Sequence, residues 1–461
     1  MALAAFVLLG TISLVAEKIP FSNGLGYDGV QYAWMVKNFD RILNGWATLS
    51  IESYNRFLPS LLCRITLSGL GLPLEDRNIV LFFESYNVAL LTLTAWLWGK
   101  IGTRTGFSKI GMWLGFVALF CNHANLKYNL YYATLTDVTA MTLGMVMLWA
   151  YLRRADLLLL GATAAGAMTW PTLLPQGLLL LLFPSRPVAS RPAPLPAFVV
   201  TISLLAALVW HFFNRGEHPL VESVMPLAGG GLEALYLGSA VFNLLNARIF
   251  FSIPELLKCV SLPRLALAGG LVAAAPVLLW KLTGFQVDYF GHGVTYIYES
   301  IRLGMKFPGE YFVAHPLYYG PWVLLLFMFF PRAARQAPKA GLGVVSVCAM
   351  TALQSLTPLS RQLIAAMPFF VFLLIAGLEG DQRFNKRFLF WFTLLSVAFS
   401  KVWMRFSLDS ANPEKTFCFD WYVSSTGCWM PFSLYLWQGI VVLLVFCGLW
   451  FFLHHRTEKA L

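Results

Sequence analysis

Charge is what this chain has least of. Asp, Glu, Lys and Arg make up only 12% of its 461 residues, where a soluble domain carries about 25%. Hydrophobic residues reach 58%, and the mean hydropathy is +0.67. That balance excludes a soluble multidomain enzyme, a disordered chain and a fibrous one. Other absences narrow the chemistry. There is no G-x-x-x-x-G-K-[ST] run and no strand–glycine–helix dinucleotide fingerprint, which removes the usual nucleotide-binding folds. No C-x-x-C, Cys/His metal spacing or D-x-D occurs, so no metal site is indicated, although Asp28, Asp137 and nearby tyrosines leave a divalent ion open. No internal repeat of fixed period is visible.

Apolar runs fill the space that charge leaves. A membrane-spanning helix needs about 20 apolar residues. Such runs lie near 1–17, 79–98, 109–122, 137–152, 156–170, 172–183, 197–213, 233–253, 265–281, 317–331, 341–357, 363–378, 387–404 and 434–453. The expected fold is an all-α polytopic membrane protein with 12–14 transmembrane helices. The first run lacks a basic leader, and Leu14-Val15-Ala16 is a poor cleavage site, so it reads as a retained helix.

The net charge of +11 has a topological explanation. With the N-terminus in the cytoplasm, the inside loops hold 17 of the 33 basic residues and only 5 of the 22 acidic ones. This is the positive-inside pattern, and it makes a nucleic-acid partner unnecessary. The short inside loops are bland. Long polar segments at 18–78, 123–136, 214–232, 282–316 and 405–433 fall on the outside, where function is expected. A Pro-rich stretch at 184–196 divides an N-terminal block, 1–183, from a C-terminal block, 197–461. Tyr32, Ala33, Trp34, Val36 and Ile42 recur at near-helical spacing, which predicts an interfacial helix in the first outer loop. The run from Phe57 to Leu74, with Arg64 inside it, reads as re-entrant or interfacial. Cys63, Cys121, Cys259, Cys348 and Cys447 lie in or near apolar stretches as packing residues. Cys418 and Cys428 share one outer loop, where an oxidising compartment favours a disulfide.

Three polar constellations carry possible chemistry. Gly26-Tyr27-Asp28-Gly29-Val30-Gln31-Tyr32 predicts Asp28 in a turn set by Gly26 and Gly29 just beyond the first span. A carboxylate half-shielded by Tyr27 and Tyr32 suits a general base, and Gly29 would admit a substrate close to the backbone. An ordinary Asp-Gly turn accounts for the same residues. Tyr131-Tyr132-Ala133-Thr134-Leu135-Thr136-Asp137 enters a span, where Asp137 serves either as a helix-end charge or as a substrate ligand beside Tyr132. Arg56 and Arg361 lie on the outer side, where topology asks for no cation. Each either snorkels to headgroups or holds a phosphate. The 282–316 segment, including Glu299, Arg302, Lys306, Glu310 and His315, reads mainly as a solvated face, and His292 and His315 lack metal-ligand spacing. Glu84, deep in an apolar run, requires a partner or a cavity.

In this order, Tyr27-Asp28-Gly29-x-x-Tyr32, Arg56-Phe57-Leu58-Pro59, Leu135-Thr136-Asp137 and Ser360-Arg361 resemble the GT-C superfamily of polytopic glycosyltransferases, in particular its bacterial members. The resemblance covers about 20–180 and the Ser360-Arg361 element. It implies a polyprenyl-phosphate-linked sugar donor, a glycan, lipid or protein acceptor, and a site on the periplasmic face of the inner membrane. By the same resemblance Asp28 is the catalytic base and Asp137 assists substrate binding. No organic cofactor is implied. One base without a carboxylate nucleophile fits single displacement with inversion. The competing class is a transporter or lipid flippase, for which Glu84 and Arg248 are the midplane candidates.

Overall fold

The computed structural model describes residues 1–44, 56–187, 191–214, 224–283, 300–305, 307–404 and 432–454. Apolar runs become helices, and the Gly, Pro and charged residues between them become turns. Helix α1 is Ala2–Val15, α2 Gly26–Leu43, α3 Phe57–Gly69, α4 Asp76–Thr105 and α5 Lys109–Phe120. A π-helical turn at Ala124–Tyr128 leads toward α6, Asp137–Arg153, then α7, Asp156–Ala167, and α8, Leu173–Leu182. Next come α9 Pro194–Asn214, α10 Val224–Leu245, α11 Leu262–Thr283, α12 Glu310–Tyr319 and α13 Trp322–Ala334. The chain closes with α14 Leu342–Gln354, α15 Met367–Leu378, α16 Lys386–Ser400 and α17 Phe432–His454. Among the described residues there is no strand, and the fold is all-α.

Each expected apolar run overlaps at least one helix, but the helices differ in bounds and reach. Among the described residues only α4 and α17 are long and apolar enough to cross a membrane, or three segments if the bent pair α12–α13 counts as one. A helix of 10 residues, such as α8, rises only about 15 Å. The run expected at 317–331 is not straight. It bends by 114° between α12 and α13, where Gly320 takes φ +90° and Pro321 follows without an N–H to donate. The Pro-rich stretch is also shorter than expected, because Pro194 and Pro196 open α9, where a missing N–H goes unused.

One main core draws on both sides of that stretch. Leu9 of α1, Trp98 of α4, Met145 of α6, Leu180 of α8, Leu325 of α13, Val344 of α14 and Phe369 of α15 are all 2% exposed or less and belong to it. Helix α4 packs on α1 and α6, and α15 packs on α5, α6 and α13. The stretch at 184–193 therefore separates two blocks along the chain, not two cores.

The polar residues sort into two ends. At one end the expected cytoplasmic loops meet each other. Arg264 Nε donates to Asp156 at 2.8 Å, Arg332 and Arg383 both hold Asp381, Ser108 donates to Glu379, and Arg154 donates to the Ser185 carbonyl. Arg248 joins this basic end. It follows α10 in a short 3-10 turn and its N–H donates to the Arg191 carbonyl, so it does not lie within a helical span. At the other end Lys18 pairs with Glu84 at 2.9 Å, which supplies the partner Glu84 requires. Lys127 there pairs with Glu17 and donates to the Met404 carbonyl.

The segment 123–136 departs most from expectation. Instead of an exposed loop it is a buried plug. Its polar groups bond inward: Asn125 donates to the Leu119 carbonyl at 2.7 Å, Asn129 to Asn125 at 3.0 Å, and Asn87 of α4 to the Ala133 carbonyl at 2.7 Å. Such mutual pairing is what allows polar backbone and amides to leave water. Glu310 and His315 are likewise buried and not on a solvated face. Cys447 is exposed on α17, whereas Cys63, Cys121 and Cys348 are buried. Cys418, Cys428, Glu299, Lys306 and His292 lie outside the described residues.

Candidate functional site

Asp28, Asp137 and Arg361 meet at the end opposite the basic loops. Asp137 is the first residue of α6 and its side chain is 0% exposed. A buried carboxylate needs full compensation. Arg361 supplies it with two parallel bonds, Nε to Oδ1 at 3.0 Å and Nη2 to Oδ2 at 3.0 Å. The remaining nitrogen, Nη1, reaches Asp28 Oδ2 at a longer 3.4 Å. The Asp28 side chain is 43% exposed. The guanidinium also lies 5.7 Å from the Tyr128 ring centroid. Residues 224 and 333 positions apart in the chain thus share one cation.

The local setting of Asp28 corrects one expectation. It sits in the first turn of α2 and not in a free glycine turn. Gly26 does adopt φ +70°, but its neighbour is the Tyr132 ring. A Cβ on Gly29 would stand 2.2 Å from Thr134 Oγ1. Both glycines therefore admit the buried plug, not a substrate. Glycines 24, 26 and 29 do have G-x-G-x-x-G spacing, the last two inside the first turn of α2, yet Tyr132 and Thr134 fill the cradle that a pyrophosphate would need. Thr134 donates to the Leu25 carbonyl at 2.8 Å, and the Gly29 N–H donates to the Tyr132 hydroxyl at 3.2 Å. These bonds lock the start of α2, and with it Asp28, to the plug.

Arg56 approaches from the start of α3. Its Nη1 donates to the Tyr32 hydroxyl at 3.2 Å, one turn along α2 from Asp28. Its guanidinium lies 4.6 Å from the Trp170 ring, and Trp170 in turn donates to the Gln362 carbonyl beside Arg361. The second arginine therefore borders the same cluster without touching either carboxylate. Tyr27 stacks on Phe21 at 4.2 Å and is half-exposed.

Two residues outside the expected set hold Arg361 in place. His315 bridges Ser360 Oγ at 2.9 Å and the Ser355 carbonyl at 2.8 Å. The carbonyl can only accept, so Nε2 carries the proton and Nδ1 receives the Ser360 hydroxyl. Tyr319 donates to the Ser360 carbonyl. Both sit on α12, ahead of the bend, and both grip the 3-10 turn Ser360–Leu363 that presents Arg361. Tyr128 and Trp170 are the other residues that sequence reasoning missed. Aromatic side chains in apolar runs carry no mark of which cation they will face.

Burial pushes the Tyr128 phenol up to about 12, against the pull of Arg361. Burial, and then the Asp28 carboxylate, also raise the Tyr132 phenol. Both are neutral hydroxyls at ordinary pH. Among the described residues no cluster of three or more His, Cys, Asp or Glu side chains is placed to hold a metal ion.

The chain matches no family profile, curated protein or solved structure. The reading of the site therefore rests on its geometry.

Proposed function

We propose that this chain is an integral-membrane glycosyltransferase of GT-C type, embedded in the bacterial inner membrane with its site toward the periplasm. It moves a sugar from a polyprenyl-phosphate carrier to a glycan, lipid or protein acceptor. The observation that carries this reading is the shared cation: a buried Asp137 fixes one edge of Arg361, while the exposed Asp28 holds the other edge loosely. A donor phosphate arriving at that open edge replaces Asp28 on Nη1. Released, Asp28 takes the proton from the acceptor hydroxyl as its oxygen attacks the anomeric carbon. The carbon–oxygen bond to the carrier phosphate breaks, and Arg361, with Arg56 nearby, stabilises the charge that collects on the departing phosphate. One displacement inverts the anomeric configuration. Two carboxylates at one end of an apolar helical bundle suit a substrate with a lipid tail and a polar head.

A transporter is the second reading, favoured by Glu233. This acid lies within α10, is 4% exposed, and its Oε1 has no partner among the described residues. One experiment separates the two. Membranes containing the Asp28→Asn variant are supplied with a labelled polyprenyl-phosphate sugar and acceptor. The asparagine keeps shape and removes basicity, so transfer is expected to fall at least roughly 100-fold with expression intact. Wild-type transfer in that variant rejects Asp28 as the base. Label that crosses the membrane without bond formation, in a manner sensitive to Glu233→Gln, supports the transporter.

A further inference from the structure

The basic end holds a cavity of about 740 Å³ on the far side of the molecule from Asp28. Arg104 at the end of α4, Arg154 just after α6 and Lys339 before α14 line it, with Phe107 and Phe372 as apolar wall. Glu379 is the one acid among its described lining residues, and it accepts hydrogen bonds from Ser108 N–H and Oγ. None of the three cations forms an ion pair among the described residues. Arg104 and Arg154 each donate only through Nε, to the Leu152 carbonyl at 3.3 Å and the Ser185 carbonyl at 2.9 Å. Their terminal nitrogens and Lys339 Nζ have no protein acceptor among the described residues.

Arg154 adds a second observation. It occupies the left-handed region at φ +58°, where an arginine is strained and a glycine is not. A cation is held at a position whose backbone favours its loss. A third observation sets the depth. Trp96 lies about two turns before Arg104 on α4, and Trp149 one turn before Arg153 on α6. The two rings are 6.4 Å apart, with Lys100 over one and Arg153 over the other. Trp96 is 44% exposed on an apolar helix. Tryptophans one or two turns inside basic helix ends mark the headgroup layer of a bilayer.

From these we infer that the cavity is a binding site for the phosphate headgroup of an anionic phospholipid, with the acyl chains running out along the apolar helices. Basic pockets between helices take such headgroups. Three unpaired cations match a phosphate anion, and the aromatic wall matches the start of an acyl chain. The inference rests on the membrane setting proposed above and not on the transfer reaction.

Native mass spectrometry of the purified full-length chain in detergent tests it, with phosphatidylglycerol and phosphatidylcholine as probes. One phosphatidylglycerol per chain is expected to be retained in preference to phosphatidylcholine. Removing each cation is expected to lower that affinity roughly 5-fold, so Arg104→Ala with Lys339→Ala gives roughly 25-fold. Arg154→Gly guards against misfolding: it relieves strain, so its thermal stability holds or rises while lipid retention falls. Arg387→Ala removes a cation from the same end outside the cavity and is expected to change nothing. Equal retention of the two lipids, or equal effects of Arg387→Ala and Arg104→Ala, overturns the site in favour of a diffuse positive field. Displacement of the lipid by millimolar glycerol 3-phosphate shows instead a site for a soluble phosphate compound and overturns the lipid assignment. Sugar transfer and its dependence on Asp28 are read separately and do not enter these outcomes.

Discussion

Replacing Arg361 with alanine strands the Asp137 carboxylate, which is 0% exposed and receives both of its bonds from that side chain. Breaking one member out of a buried pair costs about 3–5 kcal/mol, mostly because the survivor is left charged and dry. The reverse change is milder. Asp137→Asn leaves Arg361 28% exposed, with Asp28 still 3.4 Å away, and is expected to cost about 2 kcal/mol, the scale of a hydrogen bond to a charged group. The double variant Arg361→Ala/Asp137→Asn removes the stranded charge as well as the pair. Its loss is therefore expected to fall short of the two single losses added together by about 1–3 kcal/mol, the range for directly contacting residues. Asp28→Asn gives the contrast. Its side chain is 43% exposed and its contact is long, so stability is expected to change by no more than about 1 kcal/mol. The assay is denaturant titration of the purified full-length chain in mild detergent, read by tryptophan fluorescence. Additivity of the two single variants within about 0.5 kcal/mol would refute the claim that Arg361 exists first to neutralise Asp137.

Three further outcomes test neighbouring parts of the argument. Gly29→Ala drives a Cβ to within 2.2 Å of Thr134 Oγ1 and is expected to cost about 1–3 kcal/mol by overpacking; Thr134→Ala in the same chain should recover part of that, and no loss in thermal unfolding contradicts the packing. His315→Ala removes the two bonds from that ring to the Ser355–Ser360 segment and leaves the Tyr319 bond to the Ser360 carbonyl. The sugar transfer proposed above should drop by up to about 100-fold through misplacement of Arg361, and unaltered transfer in steady-state assays contradicts a positioning role for His315. At the basic end, hydrogen bonds from Arg383, and then Arg332, hold Asp381 down to about 2 against an ordinary value of 3.8. That stabilisation is full above pH 3.8 and is lost as pH falls toward 2. The melting temperature of the wild type should exceed that of Asp381→Asn at pH 5 and converge on it near pH 2, and a gap that persists in acid is inconsistent with the ion pair.

Much of this molecule is local, and local features are readable in a sequence. Apolar runs broken by Gly, Pro or charge become helices because a helix satisfies its own backbone wherever it lies. The sorting of charge to two ends needs only the alternation of successive runs. Asp28 and Arg56 stand out by their neighbours in a long outer segment, and Asp137 and Arg361 as charges beside apolar runs. Tertiary structure alone decided how they combine. Whether Arg361 meets Asp137 depends on how the Ser360–Leu363 turn falls against the start of α6, and no spacing records a contact across 224 residues. The same holds for the polar stretch 123–136, whose asparagines look suited to water and instead satisfy one another in the interior. Gly29 shows the limit most plainly. Its need for space is visible in the sequence, but that Thr134 rather than a substrate fills the space is a fact about packing between distant segments. Hydrogen-bond partners in a buried site are chosen by distance in three dimensions, and the chain order carries no measure of that.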